Sequence, residues 1–163
     1  MRVEIKNVTP GLAASFLEEN TSNRKINKKQ LDMLVRSMLA GEWRLTHQGI
    51  ALYEDGSIAD GQHRLNAIIQ SGVPCRMPIF YGIEKEKTTT MAIDCGRGRT
   101  VLDGMAISGD SVSVSDVTIA RGMEFGYVSG AMKKLTHSET AGIISKHRES
   151  LNIARDILST NKT

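Results

Sequence analysis

The stretch Ile58-Ala59-Asp60-Gly61-Gln62-His63-Arg64-Leu65 has residue types and spacing suited to holding a phosphate. A short apolar run leads into a glycine, and a helical pattern begins at once. That order predicts backbone N–H groups without helical acceptors at a helix N-terminus, where the dipole adds partial positive charge. Gly61 lets a ligand oxygen approach the backbone closely. His63 and Arg64 fall in the first helical turn, where cations are disfavoured unless an anion is also bound. Arg64 has the planar fork that grips phosphate through two parallel bonds. His63 can donate a hydrogen bond or take a proton near neutral pH. Gly61, Gln62, His63 and Arg64 are therefore the candidate phosphate contacts. The plainer alternative has Arg64 paired with Asp60 and His63 merely exposed.

Two carboxylates are candidates for catalysis. Asp94 lies in the basic loop Asp94-Cys95-Gly96-Arg97-Gly98-Arg99-Thr100, and Asp60 is the partner it would need to hold Mg²⁺ for phosphoryl transfer. The alternative is a loop Asp bonded to its own backbone. Trp43, the one tryptophan, reads as a core anchor before a base-stacking platform. Cys75 and Cys95 stand twenty positions apart, without the close second ligand of a Cys-x-x-Cys pair. Both are expected to be reduced, small apolar residues. His137 and His147 do not have a metal-ligand spacing. Walker A, Gly-x-Gly-x-x-Gly, Gly-x-Ser-x-Gly and zincin motifs do not occur in the sequence.

Charge points the same way as the turn. The chain carries a formal net charge of +3. Residues 1–99 hold fourteen Lys/Arg against eleven Asp/Glu, and the remainder holds seven against seven. The excess is densest between Thr21 and His47, where Arg24, Lys25, Lys28, Lys29, Arg36 and Arg44 face only Asp32 and Glu42. Such a cluster suits a phosphate-bearing partner, nucleic acid included; the alternative is a solvated helix face. Lys25, Lys28, Lys29, Arg44, Arg97 and Arg99 are the nucleic-acid candidates.

The elements that must position these residues are readable in outline. At 163 residues, 40% hydrophobic and 24% charged, the chain has a globular composition, and one domain with an appendage fits its length. Its N-terminus alternates charged and apolar residues and reads as a strand over residues 1–8, not as a signal peptide. No apolar run approaches the roughly 18–20 residues of a membrane span, and a cytoplasmic location is expected. Thr9-Pro10 opens a helix striped by Leu12, Ala13, Phe16 and Leu17. Asn27 caps the next, with Leu31, Leu34, Val35, Met38 and Leu39 at helical spacing and a stop at Gly41. Residues 50–53 and 57–60 read as a hairpin closed by Asp55-Gly56. The helix after Gly61 has Leu65, Ile68 and Ile69 as its core face and ends at Ser71-Gly72. Residues 76–81 form a strand in which Pro78 argues for an edge or a bulge. Residues 84–92 suggest a short helix. Beyond residue 100 no strand pattern remains, and helices are expected over 100–108, 113–128 and 137–160. These patterns describe an α/β (α+β) domain over 1–99 and a C-terminal all-helical appendage over 100–163. The ending straight after a helix leaves room for a longer chain.

The string Asp60-Gly61-Gln62-His63-Arg64-Leu65-x-Ala67 resembles the Gly-x-x-Arg-x-x-Ala box of ParB-type domains. It also resembles the Gly-x-His-Arg box of sulfiredoxins and of a related free-serine kinase. Upstream, Asn20 to Arg24 and then Leu31, Leu34 and Ser37-Met38 are similar to the Asn-x-Arg loop and following helix of ParB proteins. Downstream, a helix, Gly72-Val73-Pro74 and a strand keep the same order. The resemblance covers roughly residues 1–83, and the segment from Asp94 onward is similar to phage and prophage ParB-like proteins. It implies a ParB/sulfiredoxin-like fold, a small mixed sheet packed with helices. It further implies a nucleoside triphosphate ligand (CTP or ATP, with Mg²⁺), held by Gly61, His63 and Arg64 and reached by Arg24. A DNA-linked process of a phage or mobile element, a homodimer, and a protein partner on 100–163 are the corresponding expectations. Turnover of the nucleotide, or nuclease activity at Asp60 and Asp94, is the enzymatic alternative; a binding-only scaffold is the other. The sulfiredoxin cysteine is replaced by Gln62, which argues against sulfinic-acid repair. The helix-turn-helix that follows ParB domains has only a faint echo at residues 137–144.

Overall fold

The computed structural model describes residues 1–18, 25–86, 88–89, 93, 100–125 and 135–160, with the side chains of 124–125 and 158–160 excepted. It divides into two compact units, Met1–Gly96 and Arg97–Thr163. Among the described residues the fold is mixed α+β, with a four-stranded sheet and seven helices. No helix among them is long and apolar enough to cross a membrane.

In the first unit, β1 (Arg2–Val8) leads to α1 (Pro10–Glu18). Thr9 caps α1, its hydroxyl accepting from the Leu12 amide at 3.3 Å, and Pro10 takes the first helical position. Helix α2 (Lys28–Leu39) starts at Asn27, whose side chain accepts from the Gln30 amide. Strands β2 (Ile50–Tyr53) and β3 (Ile58–Asp60) form the hairpin, α3 (Gln62–Ser71) follows Gly61, and β4 (Cys75–Ile83) completes the sheet. The hairpin turn is closed by Asp55. Its Oδ1 accepts from the Ser57 amide at 3.0 Å and from the Ser57 hydroxyl, and Lys85 donates to its Oδ2. Gly56 supplies the positive φ of +83°.

The strand order is β1-β4-β2-β3. β4 pairs antiparallel with β1 and parallel with β2, which pairs antiparallel with β3. Pro78 therefore sits in a central strand and not at an edge, and the register irregularity of β4 against β2 falls beyond it, between Phe80 and Ile83. The reason is register: parallel pairing with β2 begins at Ile50↔Ile79, one residue past Pro78, so no ladder partner is asked of the proline on that side. The chain instead passes close by at Gly49, where a Cβ would lie 1.8 Å from the Pro78 carbonyl oxygen. Only glycine fits there.

One core joins sheet and helices: Val8, Ala13, Val35, Met38, Ile50, Leu52, Ile58, Leu65, Ala67, Ile68, Cys75, Met77 and Ile79. Two expected core residues lie outside it. Ile69 is 40% exposed and Leu39 63%, while Ala67 is fully buried. Cys75 is buried and free, and burial pushes its thiol pKa up. Of the short helix expected over 84–92, residues 84–86 carry no helix, residues 88–89 are helical, and 87 and 90–92 lie outside the described residues.

The second unit is helical: α4 (Val101–Ile107), α5 (Val114–Phe125), α6 (His137–Lys146) and α7 (Arg148–Thr160). Val101, Met105, Val117, Ala120, Ile144 and Leu151 form its core. Asp116, fully buried, pairs with Arg155 at 3.2 Å. The single helix expected over 137–160 is two helices, broken at His147 (φ −110°, ψ 20°). No glycine or proline marks the break. Leu151 is buried and Arg148 pairs with Asp110 at 2.8 Å, so tertiary contacts bind the chain on the far side of it. One residue between helices is too short for a helix-turn-helix connection of about three to four residues.

Candidate functional site

Gly61 caps α3 with φ +103° and ψ 4°, a left-handed conformation open to glycine at little cost. A Cβ at this position would lie 2.6 Å from Ile50 Cδ1 and 3.1 Å from the Gly49 carbonyl oxygen. The turn is thus required twice over, by backbone angle and by space. Asp60 Oδ1 accepts from the Gly61 amide at 2.6 Å. The first helical bond runs from the Leu65 amide to the Gly61 carbonyl. Having no side chain, Gly61 cannot cap the first-turn amides.

Arg64 folds back across the turn. Its Nη1 donates to the Gly49 carbonyl at 2.9 Å and to Asp60 Oδ2 at 3.4 Å, and Nη2 donates to Gln48 Oε1 at 3.4 Å. Its side chain is 18% exposed. The pairing of Arg64 with Asp60 is therefore present. These three bonds leave two of the five guanidinium donors without a partner among the described residues.

His63 is buried, not exposed, at 7%. Its Nε2 accepts from the Asn27 amide at 2.9 Å. That bond uses the Nε2 lone pair, so this nitrogen cannot donate to an anion while the bond stands. It also ties the N-terminus of α3 to that of α2, thirty-six positions away in sequence.

Asp60, Gly61, His63 and Arg64 line one cleft of about 420 Å³, within the range of small-molecule sites. Gln30, Met33, Leu34 and Ser37 form one wall, at helical spacing along α2. Glu42, Trp43, Arg44, Thr46 and Gln48 form another, from the segment between α2 and β2. Trp43 packs against the core and lines the cleft as well; its indole N–H donates to the Arg76 carbonyl at 3.0 Å. Arg44 is exposed and uses Nη1 on the Gly41 and Trp43 carbonyls.

The other expected residues are placed as follows. Gln62 is half-buried and its carbonyl accepts from the Asn66 side chain at 2.8 Å. Lys25, Lys28 and Lys29 are exposed, the last two in the first turn of α2. Arg24, Asp94, Cys95, Arg97 and Arg99 lie outside the described residues. Gln30, Ser37, Glu42, Thr46 and Gln48 were not singled out as site residues by sequence reasoning. The α2 residues repeat at i, i+3, i+4 and i+7, a signal that reads equally as core face, and the loop has no pattern. Among the described residues no cluster of three His, Cys, Asp or Glu side chains is placed to hold a metal ion. Comparison with family models, curated proteins and solved structures returns no significant match.

Proposed function

We propose that the first unit binds a nucleoside triphosphate, CTP or ATP, by its phosphates at the start of α3, and that it acts in a DNA-linked process in the manner of the ParB/sulfiredoxin-like domains that its box resembles. The observation that carries this reading is the start of α3. It opens on Gly61 at φ +103°, without a capping side chain, at a cleft of about 420 Å³ that Arg64 also lines. A phosphate there would meet first-turn amides, the positive end of the helix dipole and the two remaining donors of Arg64. The exposed Lys25, Lys28 and Lys29 support a polyanion beside the same end of α2, the end bonded to His63.

Asp60 Oδ1 and Oδ2 accept from the Gly61 amide and from Arg64, and Asp94, the second carboxylate expected to hold Mg²⁺, lies outside the described residues. Any Mg²⁺ would accompany the nucleotide on phosphate oxygens and water.

The existing partners of Arg64 favour a second reading, in which the turn is a clamp and the domain a scaffold for a protein partner. A thermal-shift titration with CTP, ATP, GTP and UTP in the presence of Mg²⁺ separates the two. A nucleotide at a hundred times its dissociation constant stabilises the folded state by about 2.7 kcal/mol. Arg64→Ala should abolish that gain. Absence of any shift in the wild-type chain would leave the scaffold. For DNA, affinity should fall steeply with salt, and replacing Lys25, Lys28 and Lys29 together by Ala should flatten the log–log slope by about 2.7 if all three meet phosphates. A slope unchanged by the triple substitution would remove these lysines from the DNA contact.

A further inference from the structure

The sheet has two edges, and they differ. β3 gives one edge three residues, which run straight into the Gly61 turn, and β1 gives the other edge seven. β1 pairs with β4 from Arg2↔Tyr81 to Val8↔Cys75 in unbroken register, with no proline or bulge of its own. Among the described residues no strand pairs with its other side. A long, regular edge of this kind is a template for another strand.

Pro78 decides which main-chain groups that edge presents. Opposite residues of an antiparallel ladder direct their amides and carbonyls either toward each other or both away. Pro78 stands opposite Ile5; it has no N–H, and its carbonyl oxygen lies against Gly49, on the β2 side. Ile5 therefore directs its own amide and carbonyl out of the sheet. By alternation Val3 and Asn7 do the same, and the Arg76 carbonyl opposite Asn7 is taken by the Trp43 indole. Val3 is 48% and Ile5 58% exposed, on the face they share with Phe80 and Pro78.

The charges of β1 all fall on its other face. Arg2 and Lys6 hold Glu4 between them, at 3.1 Å and 3.0 Å, and both stand over the Tyr81 ring. The order along that face is plus, minus, plus, and it is symmetric about Glu4. Ile5, not Glu4, is the middle residue of the strand. That offset by one residue matters when the strand meets a copy of itself.

We propose that β1 docks a second copy of this chain, the two β1 strands pairing antiparallel about a two-fold axis at Ile5, so that one sheet continues through both copies. This register uses the whole strand. It sets Glu4 opposite the partner's Lys6 and Lys6 opposite the partner's Glu4, in non-hydrogen-bonded pairs where side chains come closest. Ile5 meets the partner's Ile5 on the apolar face, and Val3 meets the partner's Asn7. Val3, Ile5 and Asn7 of the two copies then exchange about six main-chain bonds. An axis at Glu4 would instead set Glu4 against Glu4 and Arg2 against Lys6, which like charges oppose. The strand is complementary to itself at one full-length register, and this favours a second copy over a foreign strand. The contact is independent of the phosphate site.

The test is sedimentation of the full chain over a concentration series at low salt, without nucleotide. The wild type should pass from monomer to dimer as concentration rises. Glu4→Lys and Lys6→Glu each set like charges across the axis, and each should weaken the dimer about tenfold. Mixed in equal amounts, these two variants should pair with one another about as tightly as the wild type does, because opposite charges face each other again. Ile5→Pro should keep the fold, since the N–H it removes points away from β4, and should weaken the dimer about tenfold or more. Loss of the fold in Ile5→Pro would mean that this N–H serves β4, and overturns the outward edge. A wild type that stays monomeric at every concentration overturns the proposal and leaves the edge to a strand of another protein. A dimer that Ile5→Pro leaves unchanged, or a mixture that binds no more tightly than its components, overturns this surface and its register.

Discussion

Helix α3 starts in one way, and three helices of the second unit start in another. Thr100 and Asp103 close α4: the Asp103 amide donates to the Thr100 hydroxyl at 3.2 Å, and the Thr100 amide donates to the Asp103 carboxylate at 2.8 Å. Ser113 with Asp116 closes α5, and Thr136 with Glu139 closes α6, by the same reciprocal pair of bonds. Each start carries an acid where the dipole favours one. α3 has a glycine at its cap, no acid in its first turn, and a histidine and an arginine there. A helix that only needs to end well satisfies its amides with its own side chains. One that has no capping side chain, and adds a cation, gives up stability that an anion can restore. The second unit shows what this chain does when stability alone is at stake, and α3 departs from that practice.

The sharpest way to break the comparison is to fill the space at the turn. Gly49→Ala should have the largest effect, because its Cβ would meet the Pro78 backbone, which cannot move aside. A loss of about 4 kcal/mol or more, or failure to fold, is expected in urea unfolding. Gly61→Ala comes next. The left-handed conformation costs an alanine about 1–2 kcal/mol, and crowding against Ile50 adds about 1–3 kcal/mol. Gly56→Ala is the control: its φ is +83°, but nothing lies within 4 Å of the added Cβ. It should cost only the conformational part. Equal losses at Gly56 and Gly61 would mean that the close approach at Gly61 has no energetic weight.

Removing the cation sharpens the same contrast. Arg64→Ala takes a charge-assisted bond from the Gly49 carbonyl, worth about 1.5–3 kcal/mol. The capping substitutions Thr100→Ala and Thr136→Ala should each cost about 1 kcal/mol. The two classes should then part in the presence of inorganic triphosphate. Added anion should stabilise the capping variants as much as wild type and leave Arg64→Ala where it was. Equal stabilisation of all variants would mean that the anion binds away from α3.

Much of this first unit is readable in its sequence because the signals are local. Thr9-Pro10, Asn27, Asp55-Gly56 and Gly72 each act within a few residues, and each stands where the pattern puts it. The elements that escaped depend on distant partners. Pro78 is admitted to a central strand because β2 begins pairing one residue later. The burial of His63 follows from an amide thirty-six positions away. Ala67 takes the core place expected of Ile69, and ten residues of helix are too few to settle which face turns inward. The wall from Glu42 to Gln48 has no periodicity to read, yet it supplies five of the thirteen lining residues of the cleft. The Gly61 turn was legible; the surface that faces it across the cleft was not.

Strand β3 offers the smallest and most contained test, since an Asp-Gly turn stands near each of its ends. Asp60-Gly61 opens on the cleft, and Asp55-Gly56 is closed. The bond from Lys85, then those from the Ser57 hydroxyl and amide, hold the Asp55 carboxyl well below the usual carboxylate range. A carboxyl whose pKa is depressed by folding stabilises the native state at pH values above its unfolded pKa, about 3.9, and that contribution is lost as pH falls toward the folded value. Stability measured by urea unfolding should therefore decline below about pH 4 through Asp55, among other carboxylates. Lys85→Met removes the largest cause and should make this part of the decline shallower. The difference should be small and shrink further in high salt, because the pair is exposed. Identical acid profiles for the wild type and Lys85→Met at low salt would mean that the closed turn is held by its Ser57 bonds alone. The contrast between the two turns would then rest on the serine and not on charge.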